Sequence, residues 1–269
     1  MIVSVTRGVE VRRDLPYASV DGRSLLLDLY LPEGAGDECP VVLYLHGGAF
    51  MVGSKANNAE ERLIPVARSG IAIASAAYRF SDVATYPGQL HDVKAAVRWL
   101  RRFGPAIGLR PDAIGSWGES AGAHLAAFLG LNNTGEALNG SVGVTGVAAD
   151  VQATVAWFPP TDFLTMDQQA PDSPEALLIG GAVQEQPDAA RFASPVSHVS
   201  AAAAPMLLVH GLADRLVPYQ QSVSLKEALD KAGTQAALEL IPDADHVFGG
   251  VDVAPIISRS ADFLAGQLH

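Results

Sequence analysis

Short apolar runs and longer periodic stretches alternate along most of this chain. The runs are VVLYLH at 41–46, IAIASAA at 71–77, AIGSW at 113–117, VQATVAWF at 151–158, PMLLVH at 205–210 and AALELI at 236–241. They are brief and almost unbroken, the pattern of strands covered on both faces rather than on one. Between them, at 59–68, 91–103, 121–131, 220–231 and 254–268, apolar residues return every three or four positions, which predicts amphipathic helices. In the second of these Val93, Ala96, Val97 and Leu100 form the apolar face, while Lys94, Arg98 and Arg101 point elsewhere. The first forty residues differ. Two β-rich segments, 3–13 and 25–31, include LLLDLYLP, whose alternation predicts half-buried strands and an antiparallel entry to the sheet.

Strands alternating with helices predict an α/β fold: a mostly parallel central sheet with helices on both faces, in one domain over residues 1–269. Residues 159–199 break the rhythm with Pro-Pro, several acidic residues, a short helix at 174–179 and the pair Gly180-Gly181. Following a strand end, this stretch reads as a small lid insertion. The Gly-, Asn-, Ala- and Val-rich segment 132–149 has no functional account from sequence.

Charge and composition narrow the function. A formal charge of -11 without a basic cluster argues against a nucleic-acid partner. The opening MIVSVTRGVEVRRDLPY lacks the apolar core and cleavage site of a secretory leader, and no apolar run reaches the ~20 residues of a bilayer span, so a cytoplasmic protein without a membrane partner is expected. Cys39, the single cysteine, excludes an internal disulfide and a thiolate metal cluster. No H-E-x-x-H helix, P-loop or Rossmann fingerprint is present, so neither a metal nor a nucleotide cofactor is expected.

The strongest local signal is Gly118-Glu119-Ser120-Ala121-Gly122, G-x-S-x-G between a predicted strand and a predicted helix. Such a turn presents the Ser120 hydroxyl above the sheet edge, and the Ala121 N–H at the helix start can donate to a developing oxyanion. His46-Gly47-Gly48-Ala49-Phe50 follows the strand 41–46, and its consecutive glycines let Gly47 and Gly48 turn their N–H groups toward the same place. His46 is expected to organise that loop. With the chain order Ser, acid, His, Asp214 in GLADRLVP and His246 in PDADHVF fall after the last two predicted strands, where both can reach Ser120.

Other polar residues fit less well. Asp162 heads the insertion; Asp243 and Asp245 are too near His246 in sequence to bond its far nitrogen; Glu119 is expected to be a structural hydrogen-bonding partner. His124 is expected to pack within its helix, and His91, His198, His210 and His269 have no comparable setting. Phe50, Phe158, Phe163, Val217 and Phe248 adjoin the catalytic loops and are the candidates for an apolar substrate pocket.

The ordered motifs LDLYLP, VVLYLHGGAF, AAYRFSD, YPGQLHDVKAAVRWLR, GSWGESAGAHLA, HGLADRLVPYQQS and DADHVFGG resemble the α/β-hydrolase serine esterases. Within them the chain is similar to hormone-sensitive-lipase-like enzymes and, more closely, to the bacterial feruloyl-esterase-type and acetyl-xylan-esterase-like group. The resemblance spans nearly the whole chain. It implies the α/β-hydrolase fold and cofactor-free hydrolysis of small carboxylic esters by a Ser-His-Asp triad. The family pattern often has a third glycine where this chain has Ala49, and the short N-terminal region implies an open site covered mainly by 159–199. Short acyl or small aryl esters are the expected substrates. An arylformamidase-like amidase, an acyltransferase and a non-catalytic binding module remain as alternatives.

Overall fold

The protein is described by a computed structural model covering residues 2–34, 38–166 and 170–269. Nine strands, β1 (Ile2–Thr6), β2 (Val9–Val20), β3 (Arg23–Pro32), β4 (Cys39–Leu45), β5 (Ala72–Ala76), β6 (Leu109–Glu119), β7 (Ala153–Trp157), β8 (Met206–Gly211) and β9 (Ala236–Ile241), form one sheet in the order β1-β2-β3-β5-β4-β6-β7-β8-β9. The pairings among β1, β2, β3 and β5 are antiparallel, and every pairing from β5 to β9 is parallel. The α-helices are α1 (Ile64–Arg68), α2 (Gly88–Phe103), α3 (Ala121–Gly130), α4 (Glu136–Asn139), α5 (Pro174–Ile179), α6 (Pro187–Phe192), α7 (Gln220–Lys231) and α8 (Ala254–Leu268). None is long and apolar enough to cross a membrane. This is the α/β-hydrolase fold.

Every residue of β4 is buried, and its side chains alternate between two cores. Val41, Leu43 and Leu45 pack with residues of α2 and α3 on one face, while Val42 and Tyr44 pack with α1 and α8 on the other. Cover on both faces is the physical reason the strands read as unbroken apolar runs. The segment 3–13, expected as one β-rich stretch, is instead two strands. Arg7 and Gly8 have φ of 50° and 77°, the left-handed pair that reverses a hairpin, and Thr6 pairs directly with Val9.

Three cations of α2, Lys94, Arg98 and Arg101, turn toward the segment 132–150. Lys94 and Arg98 are buried, and the carbonyls of segment 132–150 take their donors: Lys94 Nζ reaches Asn133 O at 2.5 Å, and Arg98 reaches Val144 O at 2.6 Å, Val142 O at 2.9 Å and Asn139 O at 3.1 Å. Arg101 adds Ala148 O at 2.6 Å and Asp150 O at 2.7 Å. Burial, with Arg98 alongside, pulls the Lys94 ammonium down to about 8. These bonds satisfy backbone groups that a segment with little regular structure leaves open.

The stretch 159–199 contains α5, α6 and two 3₁₀ turns, Phe163–Thr165 and Pro195–His198. Hydrogen bonds from several elements tie it to the body, among them Tyr86 N–H to Leu178 O at 2.8 Å. Gln221 of α7 accepts the N–H groups of Thr161 and Asp162, each at 2.7 Å, and His124 of α3 donates from Nε2 to Ala193 O at 2.7 Å.

Candidate active site

The parallel strands end along one edge of the sheet, and the connections beyond β4, β6, β8 and β9 bring the polar residues together there, where ligands of open α/β sheets sit. Ser120 stands between β6 and α3 with φ 54° and ψ -121°, a conformation L-residues avoid. The tightness has a local cause. A Cβ added at Gly122 would lie 2.1 Å from Leu45 O, so only glycine lets α3 start against the end of β4. The Ser120 N–H is held by Trp157 O at 2.9 Å, which leaves the hydroxyl facing outward.

His246 Nε2 lies 3.1 Å from Ser120 Oγ, and its Nδ1 lies 2.7 Å from Asp214 Oδ2. With Asp214 ionised, Nδ1 carries the proton and Nε2 is free to accept from the serine. Asp214 Oδ1 accepts the N–H groups of Leu216 and Val217, each at 2.9 Å. Burial pushes the Asp214 carboxyl up, but hydrogen bonds from His210, His246 and the Val217 N–H outweigh it and hold the group well below the usual carboxylate range. Asp162 and Asp243 are not partners of His246. Asp162 accepts the Leu164 N–H at 3.1 Å, and Asp245 accepts the His246 N–H at 2.8 Å while pairing with Arg215, which lowers its carboxyl to about 2. Asp245 thereby ties the two loops together.

The loop after β4 approaches Ser120 from the other side. A Cβ on Gly47 would meet Glu119 O at 3.1 Å and Ser120 Cβ at 3.4 Å. Gly48 has φ 128°, and its carbonyl accepts the N–H groups of Met51 and Val52, so the loop folds back on itself. Among the described residues no turn or loop carbonyl accepts from the N–H groups of Gly47, Gly48 or Ala121, and all three residues line the cleft. His46 donates from Nδ1 to Gly47 O at 2.6 Å and stacks on Tyr78, whose hydroxyl donates to His46 O at 2.8 Å. Burial lowers the His46 imidazolium's pKa. Ala49 has φ 56°, which is the backbone reason a glycine is favoured at that position.

Behind the serine, Glu119 is buried and takes donors from Arg62, Tyr44 and Asn58, the last at 2.8 Å. Arg62 also lies over the Trp157 ring, 5.4 Å from its centroid. The cleft has a volume of about 680 Å³. Phe50 and Val217 line it. Phe158, Phe163 and Phe248 do not, and are core residues instead: Phe158 packs edge-on against His246 and Phe248, Phe163 stacks on His124, and Phe248 packs against Trp157. Phe158 and Phe248 have φ of 43° and 59°, a backbone turn that no side-chain pattern announces. The insertion contributes Pro160, Met166, Pro174 and the buried Glu175, whose carboxyl is raised by burial.

Three residues escaped the sequence reading. Arg62 looked like one charge on an amphipathic helix. Glu175 looked like an acidic residue of a surface insertion. His210 lies fully buried against Asp214, with Nε2 3.3 Å from Oδ2, and the only signal was its place four residues before the acid, at the end of a strand. Among the described residues no group of three His, Cys, Asp or Glu side chains is arranged to hold a metal ion.

Comparison with known proteins places the arrangement. The chain is 33% identical to esterase LipQ of Mycobacterium tuberculosis over 242 residues, covering 87% of this chain and 56% of the relative. It is 30% identical to esterase LipC of the same organism over 240 residues, covering 86% and 59%. It thus spans little more than half the length of these relatives. Among solved structures, a truncated carbohydrate esterase from gut microbiota superposes with a TM-score of 0.88 at 31% identity, covering 96% of this chain and 95% of that one. The propionate-bound esterase Est2 of the planctomycete Thermogutta terrifontis superposes with a TM-score of 0.78 at 26% identity, covering 97% and 94%. The BD-FAE family profile matches residues 27–229, and with the fold and these relatives it shows that the chain belongs to the BD-FAE family of α/β-hydrolase esterases.

Proposed function

We propose that this chain hydrolyses carboxylic esters through an acyl-enzyme, with Ser120 as nucleophile, His246 as general base and acid, and Asp214 as the carboxylate that orients and stabilises the imidazolium. The observation that carries the reading is the continuous line Ser120 Oγ, His246, Asp214, with contacts of 3.1 and 2.7 Å. Ser120 Oγ attacks the ester carbonyl as its proton passes to His246 Nε2. The oxyanion is received by the N–H groups of Gly47, Gly48 and Ala121, each such donor being worth about 3 kcal/mol in the transition state. Collapse expels the alcohol, protonated by His246. Water, deprotonated by the same nitrogen, then attacks the acyl-enzyme and releases the acid.

The substrate proposed is a short-chain acyl or small aryl ester. The apolar side chains Val52, Met166, Leu216 and Val217 on the cleft wall support it. So does the likeness to Est2, which has been solved with propionate and with butyrate bound. The test is hydrolysis of p-nitrophenyl esters from acetyl to long-chain acyl, with methyl ferulate, by wild type and Ser120→Ala. Rates that fall with acyl length, and a loss of roughly a millionfold in kcat for the variant, are expected. A wild type inactive on every ester, or Ser120→Ala as active as wild type, overturns the proposal.

A further inference from the structure

We propose that His210 is a positioning residue for the catalytic base, acting through Asp214 from the side opposite His246; the inference rests on the triad reading above. His210 closes β8, and its side chain is wholly buried. Its Nε2 lies 2.9 Å from Val217 O and 3.3 Å from Asp214 Oδ2. A carbonyl only accepts, so Nε2 carries a proton. In the neutral imidazole Nδ1 is then an acceptor, and the Ser222 hydroxyl of α7 meets it at 2.7 Å. The tautomer is therefore set from both ends of the ring, and the Nε2 hydrogen goes to Val217 O with the Asp214 carboxylate alongside.

Asp214 Oδ2 thus accepts from His246 Nδ1 at 2.7 Å and has His210 Nε2 beside it at 3.3 Å, while Oδ1 receives two backbone N–H groups. Phe158 lies against both rings, with centroid distances of 4.7 Å to His246 and 6.5 Å to His210. The groups facing the pair are therefore Asp214, Ser120, Ser222, the Val217 carbonyl and the Phe158 ring, with Asp245 beside the His246 backbone and paired outward to Arg215. His210 does two things in this setting. It fixes the rotation of the carboxylate so that Oδ2 stays on the His246 Nδ1 axis. It also places a second imidazole edge against Oδ2, so that the carboxylate charge is shared between the two rings. A line of polar contacts thus runs from Ser222 on α7 through His210, Asp214 and His246 to Ser120, hydrogen-bonded at each step except the 3.3 Å contact between His210 and Asp214.

The experiment compares wild type with His210→Leu, which removes the donor, His210→Gln, whose Nε2 can replace it, and Ser222→Ala, which frees the tautomer. Thermal midpoints, kcat and KM for p-nitrophenyl acetate against pH, and the imidazole ¹⁵N titration of His246, assigned with His246→Asn, are recorded on each. His210→Leu is expected to lower kcat about tenfold with KM little changed, the cost of a loosely aimed base. It is also expected to raise the His246 titration, because the whole carboxylate charge then serves one ring. The loss is therefore deeper on the acid limb of the profile. His210→Gln restores most of both, and Ser222→Ala moves both in the same direction by less. A His246 titration and kcat that stay at wild-type values while only the midpoint falls, or a His210→Gln variant indistinguishable from His210→Leu, overturns the proposal. Should His210→Leu not fold, His210→Gln and Ser222→Ala decide it by the same two readouts. A wild type that hydrolyses no ester counts against the proposed function alone, since the titration still shows whether His210 sets the state of His246.

Discussion

Two buried carboxylates flank Ser120 in structure, and they are held by opposite means. Glu119, the residue before the serine, is gripped by the Arg62 guanidinium with help from Tyr44 and Asn58. Asp214 accepts from the His246 imidazole and two backbone N–H groups, with the His210 ring 3.3 Å away, and its side chain has no Lys or Arg partner among the described residues. The difference follows from what each must do. A full cation on Glu119 cancels its charge, which suits a group that joins β6 to β4 and the 58–62 turn. A full cation on Asp214 would compete with the imidazolium that forms during reaction, whereas neutral donors hold the carboxylate in place and leave most of its charge for His246. One grip serves the fold and the other serves the chemistry.

Substitutions separate the two. Asp214→Asn is expected to give the largest effect, a fall of about 10⁴ in kcat from the wrong tautomer of His246. The carboxyl is held below its usual range, so whatever stability Asp214 contributes is complete at neutral pH and is lost only as pH falls below about 4, the unfolded-chain value. Comparing Asp214→Asn and wild type by thermal melts at neutral and acid pH checks both the size and the sign. Arg62→Leu should act on the other side: it leaves Glu119 buried without its cation and is expected to cost about 3–5 kcal/mol in urea unfolding. The kcat of its folded fraction should stay within about tenfold of wild type, because Arg62 acts on the strand end and not on the proton path. Tyr44→Phe, which removes one donor of the same cluster, is expected to cost about 1 kcal/mol by the same unfolding curve and nothing measurable in kcat/KM. If instead Arg62→Leu proves stable but inactive, the division between fold and chemistry is wrong.

What could be read without the structure follows a physical line. Ser120, Asp214 and His246 stood out because each sits just past a strand end, and in a parallel sheet those ends lie side by side whatever the packing between them. The unbroken runs announced the doubly covered strands, and 236–241, 220–231 and 254–268 match the observed elements residue for residue. Arg62 and His210 did not stand out, since a buried polar group is explained only by its partners, and theirs come from segments 57 and 12 residues away. Phe158 and Phe248 were misassigned to the pocket because their rings close a cluster with Trp157 and His246, and a run of apolar letters does not tell a cleft wall from such a cluster. The reversal at Arg7-Gly8 was missed because it rests on a left-handed backbone at two positions inside one β-rich stretch.

Three of the cations of α2, Lys94, Arg98 and Arg101, grip segment 132–150 entirely by its carbonyls, a part every residue shares. The path of the segment is therefore specified from outside, by a helix that is itself fixed to the sheet, and its own letters carry little of the instruction. Such a stretch is free to drift: its side chains can be exchanged widely while its course stays put. A region that looks uninformative in the sequence is thus one whose information is stored elsewhere, in Lys94, Arg98 and Arg101.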